Sequence, residues 1–167
     1  SLMKKSYSSS ITGSILTVLI VLSFFLPSLV QGKIPIPSDA LINLYHPWRD
    51  SSYNNYQPGR FPAKNTLITD PILQTYPWRQ IVIENLKSGI MPLWNPYSFT
   101  GQPLLANVQS SVFQILNLFF FIFPFNIAWT INIVLPSILT GLFTFLFLSN
   151  LNIGSKKLST ASAVFGA

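Results

Sequence analysis

Two short stretches of the sequence present the same kinds of side chain in the same order: an aspartate, a short apolar run, and then Tyr, Trp and Arg. The first runs from Asp39 to Arg49 and the second from Asp70 to Arg79, and they hold two of the chain's four acidic residues. A carboxylate can act as a general base, and the planar guanidinium of arginine suits a phosphate. The pattern predicts a site for an anionic, lipid-linked or sugar-bearing ligand.

The composition indicates an integral membrane protein. Charged residues make up 8% of the chain, against about 25% in ordinary soluble domains, and 49% of the residues are hydrophobic. The absence of cysteine excludes disulfides and thiol chemistry, and the single histidine, His46, excludes a histidine metal cluster or a serine triad built from this chain alone. The ten Lys and Arg residues are scattered without a basic stripe, so we expect membrane lipids as partners and no nucleic acid.

Two uncharged stretches, residues 11–30 and 127–149, are long enough to cross a bilayer as helices. A lysine pair precedes the first stretch and another follows the second. Because positive charge favours the cytoplasmic side, we expect a multi-pass protein of the cell membrane with both ends in the cytosol and the loop 31–126 outside. A cleaved signal peptide is the alternative for the first stretch, although its apolar run is longer than a typical signal core.

The predicted fold is an all-α integral membrane protein, polytopic and helical, with a large helical extracytoplasmic first loop. Residues 112–125 are apolar but short for a span, and they contain Gln114 and Asn117, so we expect an interfacial or re-entrant segment that lies flat on the outer surface or packs against other helices. We expect the chain to be the N-terminal fragment of a longer protein. The predicted parts are a cytoplasmic tail (1–10), a first transmembrane helix (11–30), the outer loop (31–126), a second transmembrane helix (127–149), a cytoplasmic turn (150–157) and the start of a third helix (158–167).

Within the outer loop, the sequence predicts two helices, each opening at one of the aspartates. Ser38 or Asp39 is expected to cap the first helix. Asp70 stands before a proline at the first helical position, which is typical of a helix N-terminus, and this second helix is expected to continue to about Lys87 with a kink or break at Pro77.

Three stretches of the loop carry a resemblance to a known family. They are Leu-Ile-Thr-Asp-Pro-Ile-Leu-Gln-Thr-Tyr-Pro-Trp-Arg from residue 67, Gly-Ile-Met-Pro-Leu-Trp-Asn-Pro from residue 89, and Gly-Gln-Pro-Leu-Leu-Ala-Asn-Val-Gln-Ser from residue 101. Together they resemble the first outer loop of bacterial YfhO-like membrane proteins, which are similar to the GT-C glycosyltransferases. The resemblance covers about residues 32–154. It implies a polytopic helical protein whose first outer loop contributes an acid to an outward-facing site that transfers sugar from a polyprenyl-phosphate donor.

Asp70 matches that acid best and is the candidate catalytic residue. It would activate the acceptor as a general base or help to hold Mg²⁺ or Mn²⁺ beside the phosphate, and one acid does not decide between these roles. A plain helix cap explains the same residue without any chemistry. The candidate substrate-binding residues are Arg79 and Arg49 for the phosphate, Tyr76, Trp78 and Trp94 for the sugar or the isoprenoid, Gln74 and Asn95 in the matched stretches, and Asp39 as a second acid.

A second hypothesis assigns the same loop to a function that forms no covalent bond. In this alternative, the protein is a non-catalytic membrane protein that binds or moves a lipid or polysaccharide, and Asp70 only caps its helix. The two hypotheses differ in what they require of the Asp70 carboxylate.

Overall fold

The computed structural model describes residues 2–53, 55–58, 60, 64, 65 and 67–150. These residues are mostly helical, which confirms the predicted helical class in its coarse form. The predicted start of a third helix (158–167) lies outside the described residues. The helices are α1 (Leu2–Val30), α2 (Ser38–Leu44), α3 (Tyr76–Lys87), α4 (Phe119–Ile122) and α5 (Phe125–Asn150), and the strands are β1 (Trp94–Asn95) and β2 (Gln102–Pro103).

The chain divides into two compact units. The first contains the residues up to Pro35 and those from Asn126 onward, and the second is Ile36–Phe125. The first unit holds the two long helices and the second holds all the candidate site residues.

The helices α1 and α5 are long enough and apolar enough to cross a membrane. They include the predicted spans 11–30 and 127–149 and extend beyond them. The 26 residues of α5 reach roughly 39 Å at about 1.5 Å per residue, which exceeds a hydrocarbon core of about 30 Å. Only 17% of the residues in each apolar window are buried. This low burial distinguishes both helices from the core helix of a soluble domain, which is covered on most sides.

Hydroxyl side chains on these helices bond to their own backbone. Thr17, Thr130 and Thr140 each donate a hydrogen bond from Oγ1 to the carbonyl oxygen four residues earlier, at 2.8–2.9 Å. A hydroxyl that is satisfied in this way can face an apolar environment without an unpaired donor.

The core of the second unit lies between α3 and the residues before α5. Val82 and Ile83 of α3 are buried, as is Phe120 of α4. The ring of Phe120 lies 4.8 Å from that of Phe125, and Phe125 meets the ring of Tyr76 edge-on at 5.1 Å. This aromatic cluster packs α3 against the end of the unit.

Two short antiparallel strands, β1 and β2, pair within this unit. Trp94 of β1 stands opposite Pro103 of β2, and Asn95 stands opposite Gln102. The connecting turn ends at Gly101, whose φ of +101° suits glycine. A Cβ at Gly101 would overlap the indole of Trp94, so glycine is also needed for the close approach of that ring.

The predicted interfacial segment 112–125 is not one continuous helix. It contains a 3₁₀ turn (Ile115–Leu118), then α4, and then Pro124 before α5 begins at Phe125. Pro124 lacks the N–H that a continuous helix would use, which fits the break between α4 and α5.

Candidate functional site

Asp70 opens the helical region that carries most of the candidates, but it is not a cap. Its backbone is already helical (φ −55°, ψ −41°), and its side chain makes no capping hydrogen bond. The reason lies in its neighbours, since Pro71 has no N–H and the amides of Ile72 and Leu73 both donate to the carbonyl of Thr69. The alternative in which Asp70 is a plain helix cap therefore lacks the capping hydrogen bond that it requires. Its carboxylate is exposed and has no hydrogen-bond partner in the described part of the chain.

The first turns after Asp70 are wound more widely than an α-helix. Residues Pro71–Thr75 form a π-helical turn, in which the N–H of Tyr76 donates to the carbonyl of Pro71, five residues earlier. Pro77 follows at the start of α3, where the N–H that proline lacks and the bulk of its ring disfavour the normal bond to residue 73. The predicted kink at Pro77 thus takes the form of a π-turn on its N-terminal side. Such turns are frequent at functional sites.

Gln74 lies inside the π-turn and is half-buried. Tyr76 is also half-buried, with its ring in the aromatic cluster against Phe125. Trp78 belongs to the core, with 9% of its surface exposed. The structure therefore assigns Tyr76 and Trp78 to packing, and their ring faces are not an open platform for a sugar.

Arg79 is buried, with 7% of its surface exposed, although we expected it at a phosphate-facing surface. Its Nη1 donates to Oε1 of Gln114 at 2.7 Å and to Oδ1 of Asn117. All four acidic residues lie in the described part of the chain, and none of them pairs with this guanidinium there. Burial lowers the pKa of Arg79 from its ordinary value. The charge is held by two neutral amides, which makes Arg79 a structural tie between α3 and the segment before α4.

Asn117 is oriented by bonds on its other side. Its Nδ2 donates to the carbonyls of Ser111 and Val112, at 2.8 and 2.9 Å, while its oxygen accepts from Arg79. Both donors and the acceptor of this buried amide are used. Sequence reasoning singled out Gln114 and Asn117 only as unsuited to lipid. Their i, i+3 spacing in an apolar segment was a signal that both amides could face one partner.

Trp94 and Asn95 lie together on β1 with different exposure. Trp94 is 51% exposed, and part of its indole lies close to Gly101. Asn95 is 1% exposed; its Nδ2 donates to Oγ of Ser98 and its Oδ1 accepts from the N–H of Tyr97, both at 3.0 Å. Asn95 therefore holds the turn, whereas Trp94 remains available to a ligand.

The first aspartate phrase folds differently from the second. Asp39 lies in the first turn of α2, which has no side-chain cap, so the capping prediction is wrong for this helix. Its Oδ2 accepts a hydrogen bond at 2.7 Å from the backbone N–H of Lys64, 25 residues later. Arg49 is half-buried in a 3₁₀ turn (Trp48–Asp50). The two phrases share side-chain order without sharing a structure.

One ion pair of the described residues was not predicted. Nδ1 of His46 lies 2.7 Å from Oδ2 of Asp50 at the surface. Such an exposed i, i+4 pair adds little to folding. It accounts for the only histidine of the chain and one of its acids.

No three His, Cys, Asp or Glu side chains come together among the described residues. The side chains of the described residues therefore do not form a site for Mg²⁺ or Mn²⁺ by themselves.

Comparison of the chain with protein-family models, with curated proteins and with solved structures finds no match. The resemblance to YfhO-like proteins thus remains a prediction. Among the candidate site residues of the second unit, Asp70 and Trp94 are exposed, whereas Trp78, Arg79 and Asn95 are buried.

Proposed function

We propose that residues 36–125 form the outward-facing module of a membrane protein similar to the GT-C glycosyltransferases, acting on a polyprenyl-phosphate sugar. The supporting observation is the free carboxylate of Asp70. A plain cap would bond to a backbone N–H, and this side chain does not. An exposed carboxylate without a protein partner is able to meet an acceptor.

In this proposal, Asp70 acts as the general base. It takes the proton of an acceptor hydroxyl as the acceptor oxygen bonds to the anomeric carbon of the sugar. The bond from that carbon to the phosphate oxygen breaks at the same time, and the polyprenyl phosphate leaves. A positioned base contributes roughly 10²–10⁴-fold to such a step.

Two features of the second unit support a ligand-binding role. The π-turn that begins at Pro71 places Asp70 at the end of a stiff helix whose core face is fixed by Val82 and Ile83. Trp94 offers an exposed aromatic ring of the kind that stacks on sugar rings. Arg79 is not a phosphate ligand in this proposal, because its guanidinium turns inward to Gln114 and Asn117.

The membrane setting follows from the two long helices. We infer that α1 and α5 cross the bilayer, with the loop between them outside the cell. The even number of crossings and the lysine pairs near both ends of the chain support this orientation.

The test is Asp70→Asn in the full-length protein, assayed as transfer of radiolabelled hexose from polyprenyl-phosphate hexose into envelope polymer. Asp50→Asn is the matched control, since Asp50 is an exposed aspartate of the same loop that pairs only with His46. We expect Asp70→Asn to lower transfer by at least about 100-fold and the control to keep normal transfer. Normal hexose transfer by Asp70→Asn would contradict the proposal.

The competing function, a non-catalytic protein that binds or moves a lipid or polysaccharide, is favoured by one observation. Trp78, Arg79 and Asn95 are buried, so the matched residues do not converge on one open site. If this function is correct, Asp70→Asn leaves envelope assembly unchanged, whereas Trp94→Ala weakens retention of the lipid or polysaccharide.

A further inference from the structure

Most of the large apolar side chains of residues 113–123 are exposed, whereas the polar side chain of Asn117 is buried and that of Gln114 is exposed. Asn117 and Phe120 are buried, and Gln114 directs its Oε1 to the guanidinium of Arg79. Six large apolar side chains have between 39% and 78% of their surface exposed. They are Phe113, Ile115, Leu118, Phe121, Ile122 and Phe123.

The two amide side chains of this segment argue against lipid contact, but hydrogen bonds satisfy both of their oxygens. Two amides in an apolar segment would be unwelcome in hydrocarbon if they faced it. The Asn117 amide is fully bonded to Arg79 and to the carbonyls of Ser111 and Val112. The carbonyl oxygen of Gln114 is likewise bonded to Arg79, at 2.7 Å. These bonds leave apolar groups as the main outward feature of the segment.

Charge is also missing from this part of the chain. There is no Asp, Glu, Lys, Arg or His between Lys87 and Lys156. A water-exposed surface of this size normally carries charges of both signs. An uncharged surface with exposed aromatic rings suits the headgroup region of a bilayer, where Trp and Tyr are enriched.

Chain connectivity identifies the partner as a lipid bilayer. Helix α5 begins at Phe125, two residues after Phe123. If α5 crosses the membrane, its first residue lies at the boundary, and two residues of chain span less than about 8 Å. The C-terminal end of the segment, at Phe123, is thus held within about 8 Å of the start of α5.

We propose that the exposed apolar side chains of residues 113–123 insert into the boundary between headgroups and acyl chains, with Arg79 bonded to the amide oxygens of Gln114 and Asn117. This contact is independent of glycosyl transfer. It applies equally to the competing non-catalytic function.

The test uses the absence of native cysteine, since one introduced cysteine carries one spin label. Single variants Ile115→Cys, Leu118→Cys and Ile122→Cys of the full chain are labelled in nanodiscs of zwitterionic lipid. Power saturation compares collisions with oxygen, which enriches in lipid, against a water-soluble nickel chelate. The matched control is Gln109→Cys, an exposed polar position of the same uncharged stretch.

We expect the three apolar positions to be several-fold more accessible to oxygen than to the nickel chelate, with the opposite ratio at position 109. Nickel access equal to that of the control would overturn the proposal, because it places the segment in water. Access to neither reagent would also overturn it, since the segment would then be covered by protein. Three positions keep the test decisive if one variant fails to fold, and loss of transfer activity does not enter the readout.

Discussion

The guanidinium of Arg79 donates a hydrogen bond to the side-chain amide oxygen of Asn117, 38 residues further along the chain. Both side chains are buried, and no carboxylate of the chain joins them among the described residues. This bond connects α3 to the segment that precedes α4. It also determines which side of that segment is polar.

The Arg79–Asn117 bond is expected to show strong coupling in a double-mutant cycle. Arg79→Met leaves the buried amide oxygen of Asn117 without its donor, and Asn117→Leu removes one of the two acceptors of the buried guanidinium. Each change is expected to cost about 2–4 kcal/mol of unfolding free energy. The double variant removes both partners, so its loss should be smaller than the sum by about 1–3 kcal/mol. Chemical denaturation in detergent measures the four free energies.

Arg49→Met is the control for the loss of an arginine in the same loop, because no hydrogen bond of its guanidinium is seen among the described residues. It should change the unfolding free energy by less than about 0.5 kcal/mol. Additive losses in the Arg79 and Asn117 cycle would show that the two side chains act separately.

Gly101, at the end of the β1–β2 turn, is expected to tolerate a side chain less well than Gly89. Gly101→Ala introduces a methyl group that overlaps the indole of Trp94, at a φ of +101°. The strained backbone costs about 1–2 kcal/mol, and the overlap adds to it. Gly89→Ala is the control, since its φ is +72° and its Cβ would meet open space.

The thermal midpoint should therefore fall further for Gly101→Ala than for Gly89→Ala. Adding Trp94→Ala to Gly101→Ala should restore part of the loss, because the overlap is then gone and only the backbone strain remains. Equal midpoints for the two glycine variants would contradict the close approach of Trp94.

Pro77 is expected to maintain the π-turn that precedes α3. Pro77→Ala supplies the N–H that can bond to the carbonyl of residue 73, so residues 71–75 can rewind as α-helix. Rewinding by one residue turns Asp70 by about 100° relative to α3. Hydrogen exchange should show a newly protected amide at position 77, and hexose transfer should fall although the protein stays folded.

Pro71→Ala is the matched control for Pro77→Ala. Proline at a first helical position replaces an N–H that has no helical partner, so its removal should leave both exchange and transfer unchanged. If Pro77→Ala has normal transfer, the position of Asp70 does not depend on the π-turn.

Asp39 is expected to anchor the loop that follows α2. Asp39→Ala removes the acceptor for the Lys64 N–H, which should free this backbone and increase tryptic cleavage after Arg60 and Lys64. A lost bond of about 1 kcal/mol corresponds to roughly five-fold faster cleavage. Asp39→Asn keeps an acceptor oxygen and should be cleaved at nearly the rate of the unchanged protein. Equal cleavage of Asp39→Ala and Asp39→Asn would show that the bond does not hold the loop.

The sequence predicted the helical elements well because their signals are local. The two apolar stretches are uncharged over the length of a span, and Pro71 and Lys87 bound the second loop helix closely. The roles of single side chains were less predictable. Aspartate is a residue type that is common at helix caps, yet the carbonyl of Thr69 accepts the hydrogen bonds from the amides that a capping Asp70 would bind. That competition depends on backbone angles, which the residue types alone do not determine.

The largest difference concerns Arg79. Its place in the second aspartate phrase suggested a phosphate ligand, but its partners lie 35 and 38 residues away, in a segment that is apolar apart from these two amides. Local patterns carry no information about such a pairing. The amides of Gln114 and Asn117 were visible in the sequence, whereas their shared partner Arg79 was not.

The uncharged run between Lys87 and Lys156 has a consequence for the choice of membrane. A contact made by neutral rings and alkyl groups gains nothing from anionic headgroups and loses nothing in high salt, because there is no counter-ion to screen. The fraction of segment 113–123 that is inserted should be the same in neutral and in acidic bilayers. The position of this surface at the membrane would then depend on its covalent link to α5 and not on the type of lipid.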